Sequence, residues 1–124
     1  MNQTSSHKVI LAGKSNLPLA KKIAKELGMS LGKCEVKEFS DGETYVHIAE
    51  EIKGKTVYVV QSGSIPANHH LMEMLLMIQA AKMMQPKRGV AVIPFFPYRR
   101  MEKTIKPGES LTFALVADLL HVAG

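Results

Sequence analysis

Tryptophan is absent from this chain, and cysteine occurs once, at Cys34. A lone thiol excludes an intramolecular disulfide and any metal site built from several cysteines. No apolar run approaches the ~20 residues that a membrane helix requires. The stretch from Met1 to Lys8 is polar and has no apolar core of a secretory signal, so the cytoplasm is the expected compartment and no membrane partner is expected. Low-complexity tracts, internal repeats and linkers are also missing. What remains is a single domain over residues 1–124, 46% apolar and long enough to bury one core.

Charge of one sign is in modest excess: 16 basic against 11 acidic side chains, a formal +5. Such an excess suits a polyanion, either nucleic acid or polyphosphate. Most lysines are scattered, however, as a solvated surface scatters them. Only Arg99, Arg100, Lys103 and Lys106 form a tight group, and no basic face interleaved with aromatics is visible, so nucleic acid is not an expected partner.

Short apolar runs at 8–12, 56–60 and 89–94, the first followed by Gly13, read as buried strands. Helical spacing of Leu19, Ala20, Ile23, Ala24 and Leu27 predicts a helix capped by Ser15 or Asn16, with Pro18 in its first turn and Gly28 at its end. The alternating segments 34–39 and 44–48, around Asp41-Gly42, predict a half-exposed hairpin. A very apolar helix from Ala67 to Met84 is expected to be covered on several sides, its methionines filling core. Ser110 is the expected cap of a last helix whose Leu111, Ala114, Leu115, Leu119 and Val122 line one face. Strands alternating with helices predict an α/β fold, a mainly parallel sheet with helices on both faces. Because a helix normally feeds a further strand, the chain is read as one piece of something longer rather than as a sheet complete at three or four central strands.

Each candidate motif has a plainer explanation beside it. Gly13-Lys14-Ser15 lacks the second glycine of a Walker loop, its place being taken by Lys8. A strand-to-helix turn is the leading reading there, with phosphate contact from its amides left open. Gln61-Ser62-Gly63-Ser64 is either a plain turn or a place where backbone approaches a ligand. His69 and His70 are adjacent and face different ways on a helix; neither they nor His7, His47 and His121 read as metal ligands. Phe39, Asp41 and Glu43 lie two apart, which in extended chain places an aromatic plate beside two carboxylates, suited to a purine and its ribose. Taken alone, a polar turn with one buried Phe is the simpler account. Pro94 to Arg100 offers forked donors on a stiff loop after a strand, and there a phosphate site and an exposed salt-bridged loop explain the residues equally well.

Read in order, Phe39-Ser40-Asp41-Gly42-Glu43, Val57-Tyr58-Val59-Val60-Gln61-Ser62, Asn68…Leu71-Met72-Glu73, Val92-Ile93-Pro94…Pro97-Tyr98 and Leu115-Val116-Ala117-Asp118-Leu119-Leu120 resemble the N-terminal domain of ribose-phosphate pyrophosphokinases. The resemblance runs from about Val9 to Gly124 and implies a phosphoribosyltransferase-like fold. It implies transfer of the β,γ-diphosphoryl group of ATP to ribose 5-phosphate with Mg²⁺, in an oligomer. It assigns ATP binding to Phe39, Asp41 and Glu43, reaching into a neighbouring subunit's site, and to Arg100 within its own subunit. Arg99 and Ser62 are further candidates for phosphate contact. The Mg²⁺ ligands, the catalytic loop and the sugar-phosphate loop lie downstream of this segment in family members, so neither catalytic nor metal residues are assigned here and the chain alone is expected to be inactive. Family members read Tyr-Ala-Arg-Gln-Asp where this chain reads Tyr98-Arg99-Arg100-Met101-Glu102, and Met101 cannot make the bonds of the usual Gln. The alternative is therefore a non-catalytic subunit that binds and regulates a complete synthetase.

Overall fold

In the computed structural model, residues 7–124 are described; residues 1–6, most of the polar leading stretch, lie outside the described residues. The elements run β1 (Lys8–Ala12), α1 (Leu17–Glu26), β2 (Cys34–Glu38), β3 (Thr44–Ile48), β4 (Thr56–Val60), α2 (Ala67–Met83), β5 (Arg88–Val92) and α3 (Thr112–Ala123), with a 3₁₀ turn at Arg99–Met101 before α3. Strands β1, β4 and β5 form a parallel sheet in the order β1-β4-β5, and β2 pairs with β3 as a separate antiparallel ribbon. The α/β class and the mainly parallel sheet are as the alternation of patterns predicts.

Side chains alternate across the sheet, so each central strand feeds two cores. Val9, Leu11, Val57 and Val59 pack with Met77 and Ala81 of α2 and with Val36 and Ile48 of the ribbon. Ile10 and Val60 face the other way, onto Ala20 and Ala24 of α1. Burial on both faces is why these strands read as unbroken apolar runs. Asn16, not Ser15, caps α1: its Oδ1 accepts from the Leu19 amide at 3.2 Å. Gly28, at φ 66°, closes the helix in the left-handed conformation that glycine tolerates best.

Four expectations are corrected. Strand β5 is an edge strand rather than a buried one: it pairs only with β4, and Gly89 and Ala91 are exposed. The last helix turns a different face inward. Val116 is buried against Leu71 and Met74 of α2, with Leu120 beside it, whereas Leu111, Leu115, Leu119 and Val122 are exposed. That helix is apolar nearly all round, so spacing alone does not select the packed face, and α2 does. Its cap position is Leu111 without a side-chain bond, while the Ser110 hydroxyl accepts from Thr112 Oγ1. Within α2, Met74 and Met77 fill core as expected, but Met72 and Met83 are exposed.

A polar knot ties two connections to helix α2 inside this apolar frame. Glu73 of α2 is only 1% exposed. Its Oε1 accepts from the Lys14 amide and, at 3.1 Å, from Gln61 Nε2. Gln61 Oε1 in turn accepts from the Ser15 amide at 3.2 Å and the Ser15 hydroxyl at 2.7 Å. Ser15 Oγ accepts from the Ser62 amide at 2.7 Å. A Cβ at Gly13 would lie 2.2 Å from Gln61 Oε1, so a side chain there would push the Gln61 amide out of the knot. The Gly13 amide donates to Val60 O at 3.0 Å. All three amides of Gly13-Lys14-Ser15 are thus bonded within the fold, and the turn is structural rather than a phosphate loop.

Replacing the carboxylate strands buried donors, each costing about 1–3 kcal/mol. Glu73→Leu is expected to lower unfolding stability by about 2–4 kcal/mol on that basis, and Glu73→Gln by less, in urea titrations; equal midpoints for wild type and Glu73→Leu would disprove the knot's role. On β2, burial and secondarily the charge of Glu73 push the Cys34 thiol up from 9.0 to about 11. At pH 8 the folded chain should react with iodoacetamide at least roughly tenfold more slowly than the urea-unfolded chain, since the thiolate is the nucleophile. Equal rates would show that this thiol is neither shielded nor held protonated.

Candidate functional site

The exits of β4 and β5 stay joined beyond the strands themselves. Gln61 N donates to Val92 O at 3.1 Å, and Gly63 N to Phe95 O at 2.7 Å. A Cβ on Gly63 would sit 2.5 Å from Pro97 Cδ, so glycine is what lets the two loops touch. The chain then reverses at Tyr98, whose φ of 62° is left-handed, and Met101 N closes the 3₁₀ turn on Tyr98 O at 2.9 Å. Tyr98 OH donates to Asn68 Oδ1 at the start of α2. These links hold the arginine turn over the ends of the parallel strands, where open α/β sheets keep their ligands.

Between the two loops lies an open cleft of about 1040 Å³, whose walls include Ser64, Ile65, Phe95, Arg99, Arg100 and Met101. The Arg99 guanidinium lies 5.1 Å from the centre of the Phe95 ring, a cation–π contact that leaves its edge donors free. Arg100 is exposed, and among the described residues it makes no ion pair. Ser62 lies behind this wall, 5% exposed, with its amide bonded to Ser15 Oγ.

The hairpin forms a second surface. Gly42 N donates to Phe39 O at 2.9 Å, and Phe39 N to Glu43 O at 2.7 Å, closing the turn at Gly42 with φ 92°. Phe39 is 48% exposed rather than buried, and stands edge-on to Tyr45 with centroids 5.7 Å apart. Lys37 Nζ covers the same Tyr45 ring at 4.9 Å. Asp41 and Glu43 meet across the turn, not along an extended strand: Asp41 Oδ1 accepts from the Glu43 amide at 3.0 Å. The side-chain contact with Glu43, then the Glu43 amide, lowers the Asp41 carboxyl below its ordinary range, and the same contact raises that of Glu43. The pair is open to solvent and presents acceptors. None of Phe39, Asp41 and Glu43 lines the arginine cleft, so one copy of the chain presents two separate surfaces.

His69 and His70 diverge as the helix dictates: His70 Nδ1 contacts Ser64 O at 2.7 Å, and His69 Nε2 lies 3.7 Å from Glu73 Oε2. Among the described residues no three His, Cys, Asp or Glu side chains gather as a metal site would need. No described helix is long and apolar enough to cross a membrane. Reading the sequence placed Phe95 and Tyr98 in the candidate loop at the strand end, where both line the cleft, and missed Gln61 and Glu73 as its support. Glu73, a lone acid on a very apolar helix, was the available signal.

Residues 8–124 match the family model described as the N-terminal domain of ribose phosphate pyrophosphokinase. A ribose-phosphate pyrophosphokinase of Fusobacterium nucleatum is 47% identical over 115 residues, 93% of this chain and 36% of that protein. One from Bacillus caldolyticus is 44% identical over 115 residues, with the same coverage of 93% and 36%. The crystal structure of phosphoribosylpyrophosphate synthetase from Mycobacterium smegmatis superposes with a TM-score of 0.92 at 38% identity, over 95% of this chain and 40% of that one. The chain therefore spans little more than a third of the length of the relatives it matches, and its fold is of their phosphoribosyltransferase type. On this family match, carried by nearly its whole length, the chain belongs to the ribose-phosphate pyrophosphokinase family and corresponds to its N-terminal domain.

Proposed function

We propose that this chain supplies the ATP-side half of a ribose-phosphate pyrophosphokinase, which moves the β,γ-diphosphoryl group of ATP to the anomeric hydroxyl of ribose 5-phosphate. The observation that carries this reading is the Arg100 guanidinium, without an ion pair among the described residues, beside Arg99 on the wall of a cleft at the strand ends. Diphosphoryl transfer needs positioning and fixed cations facing spreading negative charge, and forked guanidinium donors match phosphate oxygens. Phe39, Asp41 and Glu43 serve the adenosine end of a nucleotide held by a second copy of the chain. Their exposure and their separation from the cleft of their own copy support that arrangement. An oligomer in the cytoplasm is part of the proposal.

Mg²⁺ accompanies this chemistry in the family, but the described residues do not fit its site. No cluster of three ligands forms, and no carboxylate lines the cleft, so no step is assigned to the metal here. The family resemblance implies that the ribose 5-phosphate site and the metal ligands lie in the portion of the relatives that this chain does not match. A second reading, a non-catalytic subunit that joins a complete synthetase, is favoured by Met101 on the cleft wall, where a thioether replaces hydrogen-bonding capacity.

Charged hydrogen bonds contribute about 1.5–3 kcal/mol each. Arg100→Ala should therefore raise the ATP dissociation constant roughly 10- to 100-fold by calorimetry, with a nearly unchanged melting temperature because the side chain is exposed. Equal affinity in the variant would remove Arg100 from the site. The purified chain alone, given ATP, Mg²⁺ and ribose 5-phosphate, should release no AMP, and sugar-dependent release would show that the transfer machinery is already within it. Capture of a complete synthetase by a chain that binds no ATP would favour the second reading over the first.

A further inference from the structure

We infer that His69 is a pH-dependent latch on the polar knot: a proton held between its ring and Glu73 supplies the donor that the buried carboxylate lacks. The two oxygens of Glu73 are served unequally. Oε1 accepts from the Lys14 amide and from Gln61 Nε2, whereas Oε2 is buried and has no hydrogen-bond partner. Leaving a buried acceptor unpaired is costly, and more so when it carries charge. His69 stands one helical turn before Glu73, at i and i+4, and its Nε2 lies 3.7 Å from that oxygen. This separation is too long for a formed hydrogen bond and short enough for an ion pair, so the contact strengthens when the ring is protonated. The Glu73 side chain is 1% exposed and that of His69 31%, so the histidine is the member that exchanges protons with solvent.

The other titratable groups around the pair leave this role to His69. His70 is committed elsewhere: its Nδ1 contacts Ser64 O at 2.7 Å, and its ring centre lies 5.6 Å from that of His69. Lys14 reaches Glu73 through its backbone amide, and the residue itself is exposed. On β2, alternation sets Cys34 and Glu38 on the same side as the inward-facing Val36. Cys34 is a thiol pushed up to about 11 by burial and by the Glu73 charge, and Glu38 is exposed. On β3, Val46 and Ile48 face the core, so Tyr45 and His47 point away from it. Among the described residues, His69 is the one basic side chain within ion-pair distance of Glu73. It also lies in the first turn of α2, where the helix dipole opposes a cation. Stabilisation on protonation therefore has to come from the carboxylate. The folded chain takes up a proton at this pair, so the latch's contribution is present in acid and is lost as pH rises and the ring deprotonates.

The experiment compares urea midpoints of the unaltered chain, His69→Ala, Glu73→Gln and the double variant, at about pH 5.5 and about pH 8.5. In acid, His69→Ala should lower the midpoint by roughly 0.5 M, and by much less where Glu73 is already Gln. At the alkaline value the two single changes should add. His69→Lys carries its cation at both values and should keep its coupling to Glu73 at the alkaline one. A cost of His69→Ala that is the same at both pH values, or the same with and without the Glu73 carboxylate, would overturn the inference. So would a midpoint raised in acid by His69→Ala, the sign that the helix dipole alone would give. Where Glu73→Gln does not fold, the chains that differ only at position 69 decide the matter by their pH dependence.

Discussion

A buried carboxylate sits at the centre of this fold and the remainder is arranged around satisfying it. Desolvating an ionised group is costly unless donors surround it. Glu73 meets that demand at Oε1, with a backbone amide from the β1–α1 turn and the side-chain amide of Gln61 at the end of β4, but not at Oε2. His69 stands 3.7 Å from the oxygen that has no hydrogen-bond partner. The same Gln61 serves Ser15, and Ser15 serves the Ser62 amide, so one helix residue fixes where two neighbouring strands end. An apolar residue at position 73 would pack in the same place without specifying those ends. The polar contact thus contributes geometry as well as stability, at the level where the sheet passes into its loops.

That geometry is transmitted outward to the arginines by short steps. The backbone of 61–63 is bonded to the exit of β5, Gly63 admits Pro97, and Tyr98 turns the chain in a left-handed conformation while held to Asn68. Arg99 and Arg100 follow immediately in a 3₁₀ turn. A guanidinium whose position is set before an anion arrives meets it with less reorganisation. Here the setting is done by buried and backbone contacts, and the charged side chains themselves remain unpaired among the described residues. Arg99 resting on Phe95 illustrates the division: the ring supports the flat face and leaves the fork open.

Local chemistry made much of this legible in the sequence. Asn16 ahead of Pro18, Gly28 after the periodic residues, and Asp41-Gly42 between alternating segments each act within a few residues, and each does what its type predicts. The parallel strands were visible because burial on both faces leaves no polar alternation. What could not be read is set by distant partners. The amides of Lys14 and Ser15 find Glu73 and Gln61 at separations of 59 and 46 residues, which no turn pattern encodes. Likewise α3 is apolar around its circumference, so the choice of Val116 over Leu115 as the packed residue belongs to α2. Strand β5 carries the composition of a central strand yet lies at an edge. Phe39, expected inside a plain hairpin, stands half in solvent because the inward-facing pair at the ribbon's core is Val36 with Val46.

The split between the two candidate surfaces follows from the topology itself. The cleft is built from loops that leave a parallel sheet, where successive strand ends converge on one side. The hairpin is a ribbon outside that sheet, and its turn does not line the cleft. The cleft carries two guanidinium groups and no carboxylate side chain, and the turn carries two carboxylates with Lys37 over the Tyr45 ring nearby. Under the proposed nucleotide reading, bringing the turn of one copy to the cleft of another would set carboxylates and guanidinium donors around one ligand.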